Sequence, residues 1–147
     1  LGNSLMLMWG KEGVYHTFNQ ITHVLKPSGR LFFQILNSNC PRTGYKVSKL
    51  MQDDNDIEFF TMKRFEPDFS ANIQKVEFLT LYRKSSAVKF EIDTRQSMWQ
   101  LIPFNELRKI LQQNGLKSLH FWANYQQLPL DLKSSDSLLG LVKKIRK

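Results

Sequence analysis

The residues in this chain that could take part in chemistry are few. Three histidines, His16, His23 and His120, can move protons near neutral pH, and two asparagines, Asn3 and Asn37, can hydrogen-bond a ligand. The sequence contains no metal-ligand spacing, no Ser/His/Asp set and no phosphate-binding glycine loop. Enzyme classes that depend on those motifs therefore have no support.

The elements that position Asn37 are a helix and a strand. Apolar residues recur at helical spacing over residues 13–25, which predicts an amphipathic helix. Pro27 and Gly29 then end the helix and turn the chain. Residues 31–36 are almost continuously apolar, which predicts a strand covered on both faces, as in a parallel sheet, with Asn37 at its carboxyl end.

The middle of the chain has a different pattern. After a polar stretch in which residues 45–51 could form a short helix, three segments are rich in Phe, Val, Ile, Thr and Tyr and partly alternate. They cover residues 57–65, 73–84 and 88–98. The pattern predicts an antiparallel meander rather than a repeat of strand and helix.

The last third returns to a mixed pattern. Pro103 suits a first helical turn, and an apolar stripe follows it until Gly115. Residues 116–123 and 137–142 then predict two strands. The whole pattern is therefore of the α/β class.

Composition limits the function classes. The chain has 147 residues, of which 41% are hydrophobic and 23% charged, as expected for one globular domain. Its formal net charge is +8, but the basic residues are scattered, which favours a solvated surface over a nucleic-acid footprint. A nucleic-acid-binding domain remains a rival that predicts salt-sensitive affinity.

The single cysteine, Cys40, fits a reducing compartment, and no apolar run is long enough to span a bilayer. We therefore expect a cytoplasmic protein without a membrane partner or a metal site.

Three segments together resemble class I S-adenosylmethionine-dependent methyltransferases. They are LGNSL at residues 1–5, VLKPSGRLFFQILN at residues 24–37, and PFNELRKILQQNGL at residues 103–116. Leu116 replaces the aromatic residue that is usual in the family. The resemblance implies the C-terminal part of a Rossmann-like methyltransferase sheet, ending in a reversed hairpin, as one domain over residues 1–147 with an antiparallel insertion at 57–98.

The same resemblance implies which residues would face the cofactor and which would face the methyl acceptor. Leu1, Gly2 and Asn3 would approach the S-adenosylmethionine cofactor, whereas Asn37 and His16 would face the methyl acceptor, outside the carboxyl ends of the strands. The alternative is that each asparagine bonds the local backbone and that His16 is a solvated helix residue. The aromatic residues Trp9, Tyr15, Trp99 and Tyr125 could line an acceptor pocket or serve packing.

The function implied is methyl transfer to a small molecule, in a branch similar to glycine N-methyltransferase. In that family, a glycine-rich turn and an acidic residue that holds the cofactor ribose come earlier in the chain than the segment to which residues 1–5 are similar. We therefore expect the chain to be a C-terminal portion that is inactive alone. The alternative is a non-catalytic binding or scaffold module with a methyltransferase-like fold, and an exposed sheet edge would allow a homo-oligomer.

Overall fold

The computed structural model describes residues 3–8 and 10–145, with Asn3 described by its backbone only. Within these described residues, a short 3-10 helix, Asn3–Leu7, precedes two α-helices and eight strands. The helices are α1 (Gly10–Val24) and α2 (Phe104–Gln113). The strands are β1 (Arg30–Leu36), β2 (Gly44–Val47), β3 (Met51–Gln52), β4 (Ile57–Asp68), β5 (Ile73–Lys84), β6 (Glu91–Gln100), β7 (Leu116–Trp122) and β8 (Ser137–Lys144).

The chain divides into two compact units. One comprises Leu1–Pro41 together with Gln100–Lys147, and the other is Arg42–Trp99. We call them the α/β unit and the meander unit. The meander unit interrupts the α/β unit in sequence and starts earlier than the predicted insertion at residue 57.

The sheet of the α/β unit has the strand order β1-β8-β7. Strand β8 is antiparallel to both neighbours, with Phe33 opposite Gly140 and Trp122 opposite Leu139. The predicted reversed last strand is confirmed. Because β8 separates β1 from β7, the two strands that run in the same direction do not pair with each other.

One face of this sheet is buried, whereas the other is exposed at Arg30 and Phe32 and buried at Leu36 and Leu139. Phe33 and Phe18 are both fully buried, and their rings meet edge to face with centroids 5.5 Å apart. Leu107 and Leu111 of α2 are also fully buried, and α2 contacts both α1 and β7. On the opposite face of β1, Phe32 is 41% exposed.

The sheet of the meander unit has the order β2-β4-β5-β6, with β3 also pairing with β4. Its centre is the long β4–β5 hairpin, whose register runs from Ile57 opposite Lys84 to Asp68 opposite Ile73. The Asp68 carboxylate accepts hydrogen bonds from Ser70 and from the backbone N–H of Ala71 in the turn. The predicted antiparallel meander is confirmed.

The short helix predicted for residues 45–51 is wrong. Strand β2 pairs with β4, with Tyr45 opposite Arg64, and the chain after it is held by bonds between Ser48 and Thr61. Tyr45 and Val47 favour extended backbone, and the neighbouring β4 supplies the hydrogen-bond partners that a lone helical turn would lack. Tertiary pairing therefore overrides the weak local helical pattern.

Candidate functional site

Asn37 lies at the carboxyl end of β1, as predicted, and its side chain is 1% exposed. Its Nδ2 donates hydrogen bonds to the carbonyl oxygens of Leu132 (3.0 Å) and Ser135 (2.8 Å). Its backbone N–H donates to the carbonyl of Asp136 at 3.1 Å. Asn37 therefore fixes the loop of residues 131–136 to the end of the strand.

The oxygen of the Asn37 side chain is also engaged. Oδ1 accepts a hydrogen bond from the backbone N–H of Asn39 at 3.1 Å, which closes a local turn. Both amide N–H groups and one acceptor site are thus committed to the backbone. These contacts match the backbone-bonding alternative, while a direct contact of Asn37 with an acceptor stays a prediction.

The same turn also holds the start of α2. Ser38 Oγ accepts a hydrogen bond from the N–H of Ile102 at 2.8 Å, and Asn39 Oδ1 accepts one from the N–H of Phe104 at 2.9 Å. Pro103, the N-cap residue, has no side chain that could cap the helix. Asn39 therefore satisfies a free N–H at the helix start from 65 residues away.

Sequence reasoning missed this role of Asn39. The only signal was the absence of a local cap before an otherwise clear helix, which indicates that a distant group supplies the bond.

The loop of residues 131–136 carries its own carboxylate. Asp131 accepts hydrogen bonds from the Ser134 hydroxyl and from the backbone N–H of Lys133. These bonds, Ser134 first, hold the pKa of Asp131 below its usual range. The loop beside Asn37 therefore keeps a negative charge, but one already committed to local donors.

His16 and His23 lie two turns apart on the same side of α1, whereas His120 lies in β7. His16 is exposed on α1. It lies on the side of the helix opposite to the buried residues Val14 and Phe18. The Nδ1 atom of His23 lies 2.8 Å from the carbonyl of Asn19, one turn earlier. His120 stacks on Trp122 in β7. The exposure of His16 fits a solvated helix residue, and its contact with an acceptor stays a prediction.

The predicted cofactor residues Leu1 and Gly2, and the side chain of Asn3, lie outside the described residues, as does Trp9. Just after them, Leu5 and Met6 are buried, and the 3-10 helix that contains them contacts β1. This contact ties the start of the described chain to the strand that carries Asn37.

The remaining predicted aromatic residues are divided between the units. Tyr15 is 39% exposed and Tyr125 is 66% exposed in the α/β unit. Trp99 belongs to the meander unit, where its ring packs against Phe65 with centroids 6.2 Å apart. Packing accounts for Trp99, whereas Tyr15 and Tyr125 have rings available to a ligand.

Over residues 3–8 and 10–145, no group of three or more His, Cys, Asp or Glu side chains could hold a metal ion. In the same described part of the chain, no helix has the length and apolar character needed to cross a membrane.

No family model and no curated protein sequence matches this chain. Solved structures do match it. The CcbJ methyltransferase from Streptomyces caelestis is 17% identical, with a TM-score of 0.72 over 97% of this chain and 57% of that one. An S-adenosylmethionine-dependent methyltransferase from Clostridium acetobutylicum is 14% identical, with a TM-score of 0.71 over 97% and 55%.

A third similar structure is S-adenosylmethionine-bound CalS10, an amino pentose methyltransferase from Micromonospora echinaspora involved in calicheamicin biosynthesis. It is 11% identical, with a TM-score of 0.75 over 98% of this chain and 56% of that chain. The chain thus spans little more than half the length of these three proteins. At such low identities the likeness establishes the fold, which is that of the C-terminal portion of an α/β methyltransferase.

Proposed function

We propose that this chain forms the C-terminal part of an S-adenosylmethionine-dependent methyltransferase that acts on a small molecule. The supporting observation is the sheet order β1-β8-β7 with a reversed β8, interrupted in sequence by the meander unit. This arrangement matches methyltransferases over 97–98% of the chain.

The described residues of this chain would position the cofactor and the methyl acceptor. S-adenosylmethionine, when bound, supplies a methyl group that its sulfonium already activates, so transfer depends mainly on alignment and exclusion of water. Asn37 and Asn39 make the end of β1 rigid by holding the 131–136 loop and the start of α2. In this proposal Leu1, Gly2 and Asn3 approach the cofactor.

The acceptor would lie on the side of Asn37 and His16. In this proposal the meander unit is the antiparallel insertion of a branch similar to glycine N-methyltransferase, which acts on a small molecule. CalS10 acts on an amino pentose, which is compatible with this acceptor class. The single cysteine, Cys40, supports a cytoplasmic place of action.

Calorimetric titration with S-adenosylmethionine tests the proposal. We expect the longest natural polypeptide that contains this chain to bind the cofactor, and residues 1–147 alone to bind it weakly or not at all. Asn37→Ala in the longer polypeptide should lower methyl transfer more than cofactor affinity, because it frees the 131–136 loop. Absence of cofactor binding by the longer polypeptide would overturn the proposal.

The rival is a non-catalytic scaffold that self-associates through an edge of the sheet. In the described sheet β1 pairs with β8 on one side, and its other side would form this interface. Light scattering on a sizing column separates the two. A stable dimer that does not bind S-adenosylmethionine in any natural form favours the scaffold, whereas a cofactor-binding monomer favours the enzyme.

A further inference from the structure

Two connections join the meander unit to the α/β unit. The outgoing connection is the stretch after β1, residues 37–41, and the returning connection runs from Gln100 to the start of α2 at Phe104. Ligands of open α/β sheets bind outside the carboxyl ends of strands, and β1 ends at Leu36. The outgoing connection therefore begins at the ligand-binding end of this sheet.

Two side chains of the outgoing connection hold the returning connection. Ser38 Oγ accepts a hydrogen bond from the N–H of Ile102 at 2.8 Å, and Asn39 Oδ1 accepts one from the N–H of Phe104 at 2.9 Å. The two acceptors are neighbours in sequence, whereas the two donors are separated by one residue. We call this pair of bonds the clamp. It fixes the returning connection to the outgoing connection at two points.

Each side of the clamp is itself held in place. On the outgoing side, the backbone N–H of Asn39 donates to Oδ1 of the buried Asn37 at 3.1 Å. On the returning side, Ile102 is buried, and the ring of Phe104 meets that of Phe121 edge to face with centroids 4.9 Å apart. Because the clamp joins two segments that are already held, its bonds cost little conformational freedom to form.

Proline residues stiffen both connections next to the clamp. Pro41 ends the outgoing connection, and Pro103 lies between the two donors of the returning connection. Proline fixes its own φ and keeps the preceding residue out of the helical region. Pro103 has φ −54° and ψ 146°, an extended conformation that separates the residues on either side of it by about 6–7 Å. A stiff segment held at one point can pivot about that point, whereas bonds at two separated points prevent the pivot.

We propose that Ser38 and Asn39 restrain the hinge of the meander unit, because the clamp stops the outgoing and returning connections from turning independently. Hinges between units are short segments whose backbone angles absorb the movement. The clamp lies in the turn that starts with Asn37, so it keeps the ligand-binding end of the sheet in one arrangement. This restraint does not depend on the proposed methyltransferase function.

Hydrogen exchange at single amides, measured on the longest natural polypeptide that contains this chain, tests the restraint. Ser38→Ala removes the acceptor for Ile102 but should also speed exchange at Phe104, whose own bond to Asn39 is intact. Asn39→Ala should likewise speed exchange at Ile102. Each of these cross effects should be at least about fivefold, because one remaining bond allows the returning connection to pivot open. If each substitution speeds exchange only at the amide that it leaves unbonded, the proposal is overturned.

Matched variants separate the clamp from a general loosening of the chain. Ser48→Ala, in the meander unit, removes a hydroxyl oxygen that accepts the N–H of Thr61, also at 2.8 Å. It should leave exchange at both donors of the clamp within about twofold of wild type, since it shares no partner with them. Asn39→Asp keeps the acceptor oxygen and places a negative charge at the start of α2, so it should exchange as wild type does. Cross effects of Ser48→Ala as large as those of Ser38→Ala, or of Asn39→Asp as large as those of Asn39→Ala, would also overturn the proposal.

Limited proteolysis of the same polypeptide reports on the end of the outgoing connection. Trypsin cleaves after Arg42, the first residue of the meander unit, and the rate of cleavage follows the population of the locally opened form. Ser38→Ala and Asn39→Ala should each raise this rate at least about threefold. The double variant should exceed the larger single effect by less than about twofold, because the loss of either bond already frees the hinge. Cleavage after Lys84, where β5 ends, should keep its wild-type rate. An unchanged rate after Arg42 in the double variant would overturn the proposal.

Discussion

The two units of this chain are stabilised in different ways. In the α/β unit, two helices and one face of a three-stranded sheet bury a continuous apolar core. Its fully buried side chains include Phe18, Phe33, Ile35, Leu107, Leu111, Leu138 and Val142. In the meander unit, Phe65 and Val76 are the buried hydrophobic residues.

The meander unit depends instead on pairing across its strands. Its β4–β5 hairpin is paired over twelve positions, and side chains such as Thr61 and Thr80 face each other across it. Cross-strand pairs each contribute about 0.2–1 kcal/mol, whereas a buried aromatic side chain contributes several times more. Single substitutions should therefore be costly in one unit and modest in the other.

The largest effect is expected for Phe33→Ala. Phe33 is fully buried, with its ring against Phe18, so its removal should lower the free energy of unfolding by about 3–5 kcal/mol. Urea unfolding followed by circular dichroism gives the difference. Hydrogen exchange should place the loss of protection in β1 and β8.

Two matched substitutions sharpen the result. Phe32→Ala changes the adjacent residue on the opposite face of β1 and should cost less than about 1 kcal/mol, because Phe32 is already 41% exposed. Phe78→Ala in the meander unit removes a half-buried ring and should cost about 1–2 kcal/mol. If Phe33→Ala and Phe78→Ala lower the free energy of unfolding equally, the two units are not stabilised in different ways.

The next effect concerns Gly140, which lies opposite Phe33 in the sheet. A Cβ atom at Gly140 would lie 2.6 Å from Phe33 Cε1, far inside van der Waals contact. Gly140→Ala should therefore destabilise the chain by about 1–3 kcal/mol through overpacking. Thermal unfolding of the variant beside wild type measures the shift.

Gly13→Ala is the control for that substitution. Gly13 lies within α1, and a Cβ there would meet Met8 at 3.5 Å, an ordinary contact. Alanine favours the helix over glycine by about 1 kcal/mol, so this variant should be as stable as wild type or more stable. Destabilisation by both substitutions would mean that the space around Phe33 is not the cause.

A smaller effect is expected for an ion pair of the meander unit. Arg83 Nε donates to Glu58 Oε2 at 2.8 Å, and its guanidinium also lies 4.5 Å from the centroid of the Phe90 ring. A double-mutant cycle with Glu58→Gln and Arg83→Met should give a coupling of about 0.5–1 kcal/mol. A coupling as large as the cost of Phe33→Ala would show that the meander unit does not rely on many small pairs.

The sequence predicted the elements in which apolar residues recur at a regular spacing. It missed the elements that form only because a distant segment pairs with them. Strand β5 has the predicted bounds, since alternating β-branched and aromatic residues run through it between clear breaks. The helix predicted for residues 45–51 became β2 and β3, because β4 offers pairing that the local pattern does not contain.

The candidate site shows the same limit. The position of Asn37 after β1 followed from the apolar run, but its bonds to Leu132 and Ser135 join residues 95 and 98 positions apart. The placement of Arg30, Lys117 and Lys143 on one face depends on the register of three strands. Local periodicity contains no information on either arrangement.

The smallest effect is a pH dependence in the α/β unit. Lys11 Nζ donates to Glu106 Oε2 at 3.0 Å, which holds the pKa of Glu106 below its usual range, and Lys109 adds to the shift. A lowered folded-state pKa means that this contribution to stability is complete above the unfolded value, about 4.3, and is lost as the pH falls through the folded value. Glu106→Gln should therefore reduce stability slightly at neutral pH and make no difference in strong acid.

Urea unfolding of wild type and Glu106→Gln between pH 2 and pH 7 checks this expectation. Asp54→Asn, which removes one exposed carboxylate from a loop of the meander unit, is the control. The difference between wild type and Glu106→Gln should close as the pH falls and should also shrink in high salt, because exposed ion pairs are screened. If the difference persists in strong acid, Glu106 stabilises the α1–α2 contact by packing of its side chain rather than by its charge.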